Sequence, residues 1–185
     1  HLSVLAPLAT RPDLPSPIAF ELFWSVPAEL RRYLLSRFLT DSEMLTKILK
    51  ITHAMQVGET SGDTAHKERQ PADAVISRLR DGKLDDAASI LGEMADIQAE
   101  TAARIIADRQ GEPLAVVLKA LGINRAKFQE IVELLKQPDC GIIDGDRPTS
   151  ELQGVFDSLS FNKARVLLTY WDWAMMKSGP YAPAQ

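Results

Sequence analysis

FNKARVLLTYWDWAMM, residues 161–176, is the stretch on which the reading of this sequence turns. It contains neither Gly nor Pro, and Ser160 or Asn162 stands where a helix N-cap belongs. On a helical wheel Phe161, Ala164, Leu168, Trp171 and Met175 form one stripe, widened by Leu167 and Ala174. Val166, Tyr170 and Trp173 carry the apolar arc further, with Lys163 the one charge among them. A helix apolar over more than half its circumference needs neighbours on several sides. It is expected to be the centre of a helical core or, in part, an interface.

The rest of the chain extends the helical pattern. Its 185 residues suit one domain or two closely packed helical subdomains. No long segment alternates apolar and polar residues, so strands are not expected. Ser16-Pro17 starts a short apolar helix, Ile18–Trp24, and Ser25-Val-Pro27 leads into another, Ala28–Phe38, with Leu30, Leu34, Leu35 and Phe38 inward. Thr40 or Asp41 caps a helix striped by Met44, Ile48, Ile51 and Met55. Further helices are expected from Pro71 or Ala72 to Arg80, then over Leu84–Ile97, Glu100–Arg109, Leu114–Leu121, Ala126–Lys136 and Thr149–Leu159. Asp81-Gly82, Gly111 and Gly122 act as stops, and Asn124 as a cap. The polar stretch Gly58–Gln70 holds no large apolar residue and reads as a linker. The expected organisation is therefore an N-terminal helical-repeat part (1–57), a flexible linker (58–70) and a C-terminal helical part (71–185). The fold class is all-α, built of short antiparallel helical hairpins in a HEAT-like array or a compact α-α superhelical bundle.

Arg11-Pro-Asp-Leu-Pro15, Leu22-Phe-Trp-Ser-Val26 and Glu29-Leu-Arg-Arg-Tyr-Leu-Leu-Ser-Arg37 form an ordered pattern. So do Ala103-Arg-Ile-Ile-Ala-Asp-Arg109 and Pro113-Leu-Ala-Val-Val-Leu-Lys-Ala-Leu-Gly-Ile123. Together they resemble a bacterial domain-of-unknown-function family, number 2336, rich in HEAT-like helical repeats, and within it the C-terminal portion. The resemblance implies a helical-repeat fold and brings no catalytic residues. Family members often carry more repeats upstream, which is consistent with a chain that begins at His1 as a fragment.

Charge and composition narrow the function. The net charge of -4 weighs against a broad surface for nucleic acid or anionic lipid. No apolar run approaches the ~20 residues of a membrane span, and one cysteine, Cys140, cannot form an internal disulfide. A cytoplasmic location is expected. His1, His53 and His66 have no second ligand at helical spacing, and the acidic loop Asp139–Asp146 lacks the alternation of a calcium loop, so no metal or cofactor is expected. No nucleophile, phosphate-loop or dinucleotide fingerprint appears, and an enzyme is not expected.

Two binding classes remain. The first is protein–protein interaction, by an unidentified partner or self-association. Its candidate residues are Tyr170, Trp173 and Val166 on the last helix, with Arg31, Arg32 and Arg37 beside Tyr33 as an acid-seeking patch. The second is DNA binding through a helix-turn-helix-like hairpin at 114–135, with Asn124, Arg125, Lys127 and Gln129 toward the groove. Glu130 and Glu133 would then approach phosphates, which weighs against it.

Overall fold

A computed structural model describes residues 2–14, 16–40 and 69–177. They form helices and their connections, with no strand among the described residues; the protein is all-α. The helices are α1 (Leu2–Ala9), α2 (Ser16–Phe23), α3 (Ala28–Thr40), α4 (Arg69–Arg80) and α5 (Leu84–Ala95). They continue with α6 (Ala99–Ile106), α7 (Glu112–Ala120), α8 (Arg125–Lys136), α9 (Thr149–Ser158) and α10 (Phe161–Met176). The Met44–Met55 stripe, most of the expected linker, His1, His53, His66 and the tail from Ser178 lie outside the described residues. Helix α4 begins at Arg69, so its first turn takes in the last two residues expected of that linker.

The central element is α7, not the last helix. Leu114, Ala115, Val116, Val117, Leu118 and Ala120 are all buried, and Glu112 and Pro113 with them. Helix α10 makes the most extensive packing on α7; α9 and α6 cover other sides. Lys119 keeps its ammonium over the ring of Phe156, 4.4 Å from the centroid, so the one long charged side chain in the body of α7 covers apolar surface with its stem. Helix α7 starts two residues before the expected Leu114. Gly111 is its N-cap at φ 79°, and Pro113 follows in the first turn, where a missing N–H costs nothing.

The helix before it is shorter than expected. Instead of running to Arg109, α6 stops at Ile106. The Asp108 carboxylate accepts the backbone N–H groups of Gln110 (3.0 Å) and Gly111 (2.9 Å). An aspartate that bonds the backbone two and three residues on offers the chain a turn in place of another helical bond.

Neighbouring helices pack in order from α4 to α7, and the chain then folds back: α8 lies on α4 and on α9, and α9 on α7. Helices α1, α2 and α3 pack on one another, and α2 reaches α10. One apolar cluster runs from Ala9 through Phe23 and Leu35 to Trp171 and so joins both parts of the chain.

Two glycines separate backbone strain from packing. Gly82 lies at φ 69° with open space where a side chain would go, while at Gly111 an added Cβ would fall 2.9 Å from Leu152 Cδ1 and 3.1 Å from Ile143 Cδ1. Gly82→Ala is expected to cost about 1 kcal/mol from left-handed backbone alone. Gly111→Ala adds an overpacking cost of about 1–3 kcal/mol. Urea unfolding of the two variants should rank Gly111→Ala clearly below Gly82→Ala.

Candidate functional site

The candidate surface is carried by α10. Its start is fixed by Ser160, whose Oγ accepts the N–H of Lys163 at 3.3 Å, and its end by Lys177 in the left-handed region at φ 51°. Ala164, Leu167, Leu168 and Trp171 face the core. Phe161 and Met175, placed on the same stripe by periodicity, are 47% and 38% exposed. Both sit near an end of the helix, where neighbours run out.

Tyr170 and Trp173 are half-buried, with ring centroids 5.5 Å apart and planes at 59°. Partial burial pushes the Tyr170 phenol above its usual value. Met176, 47% exposed, extends the apolar surface. Val166 does not belong to it: at 1% exposure it is core, because packing against the α10 arc closes over this position. Trp173 also edges a cleft of about 160 Å³, where α10 contributes Arg165, Thr169 and Asp172 and the α5–α6 corner contributes Ala95, Asp96 and Ile97.

Asp172 has a structural task that sequence alone concealed. Its Oδ1 accepts the Gln98 N–H and the Thr101 hydroxyl, both at 2.8 Å. Gln98 is the N-cap of α6 and gives it no side-chain cap. The cap of α6 therefore comes from another helix.

The expected arginine patch divides. Arg31 is 5% exposed and belongs to the interior, which removes it from any acid-seeking surface. Its Nη1 donates to Asp108 Oδ1 (2.8 Å) and Oδ2 (2.9 Å) and to Glu112 Oε2 (3.3 Å). Its Nε donates to the Val26 carbonyl at 3.1 Å and its Nη2 to that of Trp24 at 3.4 Å. Glu112, wholly buried, is held on its other oxygen by Arg147 Nη2 at 2.5 Å. Arg147 Nη1 also donates to the Gln110 carbonyl, and its Nε lies 3.7 Å from Glu151. Two cations and two anions thus meet in the core with their charges balanced. Arg32 and Tyr33 are exposed, and the Arg37 side chain lies outside the described residues. Arg32 and Leu35 line a groove of about 310 Å³ with Glu151 and Val155 of α9.

The same guanidinium of Arg31 sits 5.1 Å from the Phe23 ring centroid. Phe23, Trp24 and Trp171 form an aromatic cluster, with both Phe23–Trp171 and Trp24–Trp171 centroids at 5.0 Å. Arg104 stacks on the outer side of Trp24 at 4.3 Å. Burial lowers its guanidinium from its ordinary value, against the nearby Asp108 charge.

At the 114–135 hairpin, Asn124 is the N-cap of α8 and its side chain accepts the Lys127 N–H at 3.0 Å. Arg125 faces Asp157 (3.4 Å) and Gln153, and the Lys127 ammonium is paired with Asp73. Gln129 is exposed. The cationic side chains expected toward DNA are thus engaged with acids of α4 and α9.

The 139–146 loop is turn chemistry, with Asp144 Oδ1 accepting the Asp146 N–H at 3.1 Å. Among the described residues no group of three His, Cys, Asp or Glu side chains is placed to hold a metal ion. The Cys140 thiol is pushed up by burial and by Asp139. No helix of the described residues is long and apolar enough to cross a membrane.

The order of motifs from Arg11 to the last helix can be set against known families. The family described as "Uncharacterised protein conserved in bacteria" (DUF2336) matches residues 2–169. The chain belongs to this family. The match runs from α1 into α10, so the buried charge network and the core residues Ala164, Leu167 and Leu168 of α10 lie inside the DUF2336 region. No curated protein and no solved structure matches the chain.

Glu112 provides the sharpest test of the network. Glu112→Gln leaves Arg31 and Arg147 facing one another without their shared carboxylate. Breaking a buried pair by removing one partner costs about 3–5 kcal/mol, and chemical unfolding should show a loss of that order. Asp172→Asn, which weakens a single cap, should cost about 0.5–2 kcal/mol. Its effect should appear as faster amide exchange in the first turn of α6.

Proposed function

We propose that this DUF2336 protein is a non-enzymatic protein–protein interaction or scaffold module, acting in the cytoplasm through the outer side of α10. The observation that carries this reading is the half-buried Tyr170–Trp173 pair beside the exposed Met176. Large aromatics held at one edge by the core lose little entropy when a partner covers the other edge. The packing in order from α4 to α7 supports a HEAT-like helical-repeat origin for the scaffold. The largest concentration of charge described, around Glu112, is closed to solvent and balanced within itself, which supports a structural role for it.

The partner in this reading is a protein, either a second copy or another chain. Nucleic acid is disfavoured because Arg125 and Lys127 already face Asp157 and Asp73.

An affinity pull-down from native extract, with and without nuclease, tests the class. A discrete protein recovered in both runs supports the module; recovery that vanishes with nuclease overturns it. Trp173→Glu should abolish partner recovery or self-association while the helical circular dichroism is kept. A collapse of the fold instead would mean that Trp173 serves the core. Because the Tyr170 phenol is raised in the folded chain, the unfolded chain gives up that proton first. Stability should therefore fall as pH rises past the ordinary tyrosine value of about 10, and Tyr170→Phe should flatten that part of the profile.

A further inference from the structure

The joint between α1–α3 and the body has an unusual composition. On the cap side, Phe23 and Trp24 stack on Trp171, and Arg31 enters between Asp108 and Glu112. The Arg31 guanidinium is pre-positioned by its own unit, through the carbonyls of Trp24 and Val26. On the body side, Asp108 is fixed by the amides of Gln110 and Gly111, and Glu112 by Arg147. Without Arg31 the groups Asp108, Glu112 and Arg147 carry an excess of one negative charge, with Glu151 beside Arg147 and Arg104 near Asp108 at the part-exposed rim. With it the charge closes to zero.

A second observation lies at the same joint. The Trp171 indole N–H is buried under this aromatic cluster with no protein acceptor. A buried donor left unpaired favours any state in which water can reach it. Among the described residues α1, α2 and α3 pack on one another, α2 lies on α10, and α3 reaches the body through Arg31. The joint is thus a charged plug in a matching socket, beside an aromatic contact that holds a polar group away from any protein acceptor.

We infer that α1–α3 is a releasable cap, bound as an intramolecular ligand in an arginine-recognition socket made by Asp108, Glu112 and Arg147. The ligand class is an arginine presented by a helical hairpin with aromatic residues just before it. Here the chain supplies it in cis. Lysine would not replace it, because one guanidinium serves two carboxylates and two carbonyls at once, beyond the reach of a single ammonium. This goes beyond the α10 surface and does not rest on it.

The test uses the full chain with a protease site inserted after Gly62, cut after folding. Cut protein labelled with ¹⁵N is mixed with unlabelled cut protein, and native mass spectrometry reads which cap sits on which body. The expected result is hybrid complexes that carry one labelled and one unlabelled piece. In direct competition a cap with Arg31→Lys should be at least tenfold under-represented, while a cap with Arg32→Lys, an exposed neighbour, competes equally. Absence of hybrids after a day overturns the releasable cap. Equal competition by the Arg31→Lys cap overturns the arginine socket. Loss of helical circular dichroism on cutting overturns both, since the cap would then be an obligatory part of the core.

Discussion

The carboxylate of Glu112 is the constraint on which the rest of the molecule depends. It is wholly buried at the first turn of the central helix and shared between two arginines from opposite directions in the chain. A buried anion is tolerable only when its oxygens are matched by donors. That requirement fixes where α3 must lie, because Arg31 has to reach it. It also fixes the approach to α9, because Arg147 comes one residue before the Pro148 N-cap of that helix. A helix N-terminus favours negative charge, so Glu112 also stands at the favourable end of α7.

Around that point the apolar packing follows. Helix α7 can be buried on nearly every side because its residues are small or branched aliphatics, and its polar ends are handled locally by Gly111 and Gly122. The helices that cover it spend their own apolar stripes on it and keep polar faces outward. What α10 leaves half-exposed is the Tyr170 and Trp173 edge, with Tyr170 packed against the rim of the core. In the function proposed above, the deep charge is architecture and the peripheral aromatic edge is the meeting place.

Much of the fold was legible in the sequence. Periodicity located the described helices from α2 onward, with the α6–α7 boundary displaced, and the turn residues Gly82, Gly122, Asn124 and Ser160 act as local signals suggest, because those preferences belong to the backbone and not to the tertiary setting. Arg31 and Val166 were misplaced for the opposite reason. An arginine on an amphipathic helix looks solvated until its carboxylates arrive from residues 77 and 81 positions away. Val166 lies at the margin of an apolar arc, and only the packing decides which side of the margin is covered. Glu112, Asp108 and Arg147 gave little warning. An acid beside Gly and Pro at a helix start is ordinary, and an arginine in a loop carries no periodic signature. Asp172 carries no sequence signal of its role, since its acceptor is spent on a helix 71 residues earlier.

That borrowed cap has a consequence for the order of assembly. The backbone N–H of Gln98 finds its acceptor on Asp172, 74 residues further along. During synthesis at ~5–20 residues per second, the start of α6 must wait several seconds for that residue. The face of α7 covered by α10 waits with it. Until then the nascent chain presents an uncapped helix and an open apolar groove. Helix α10 therefore acts as a closing stitch of biogenesis: interruption before it leaves a chain whose most deeply buried helix is still uncovered, the kind of surface that chaperones and quality-control proteases recognise.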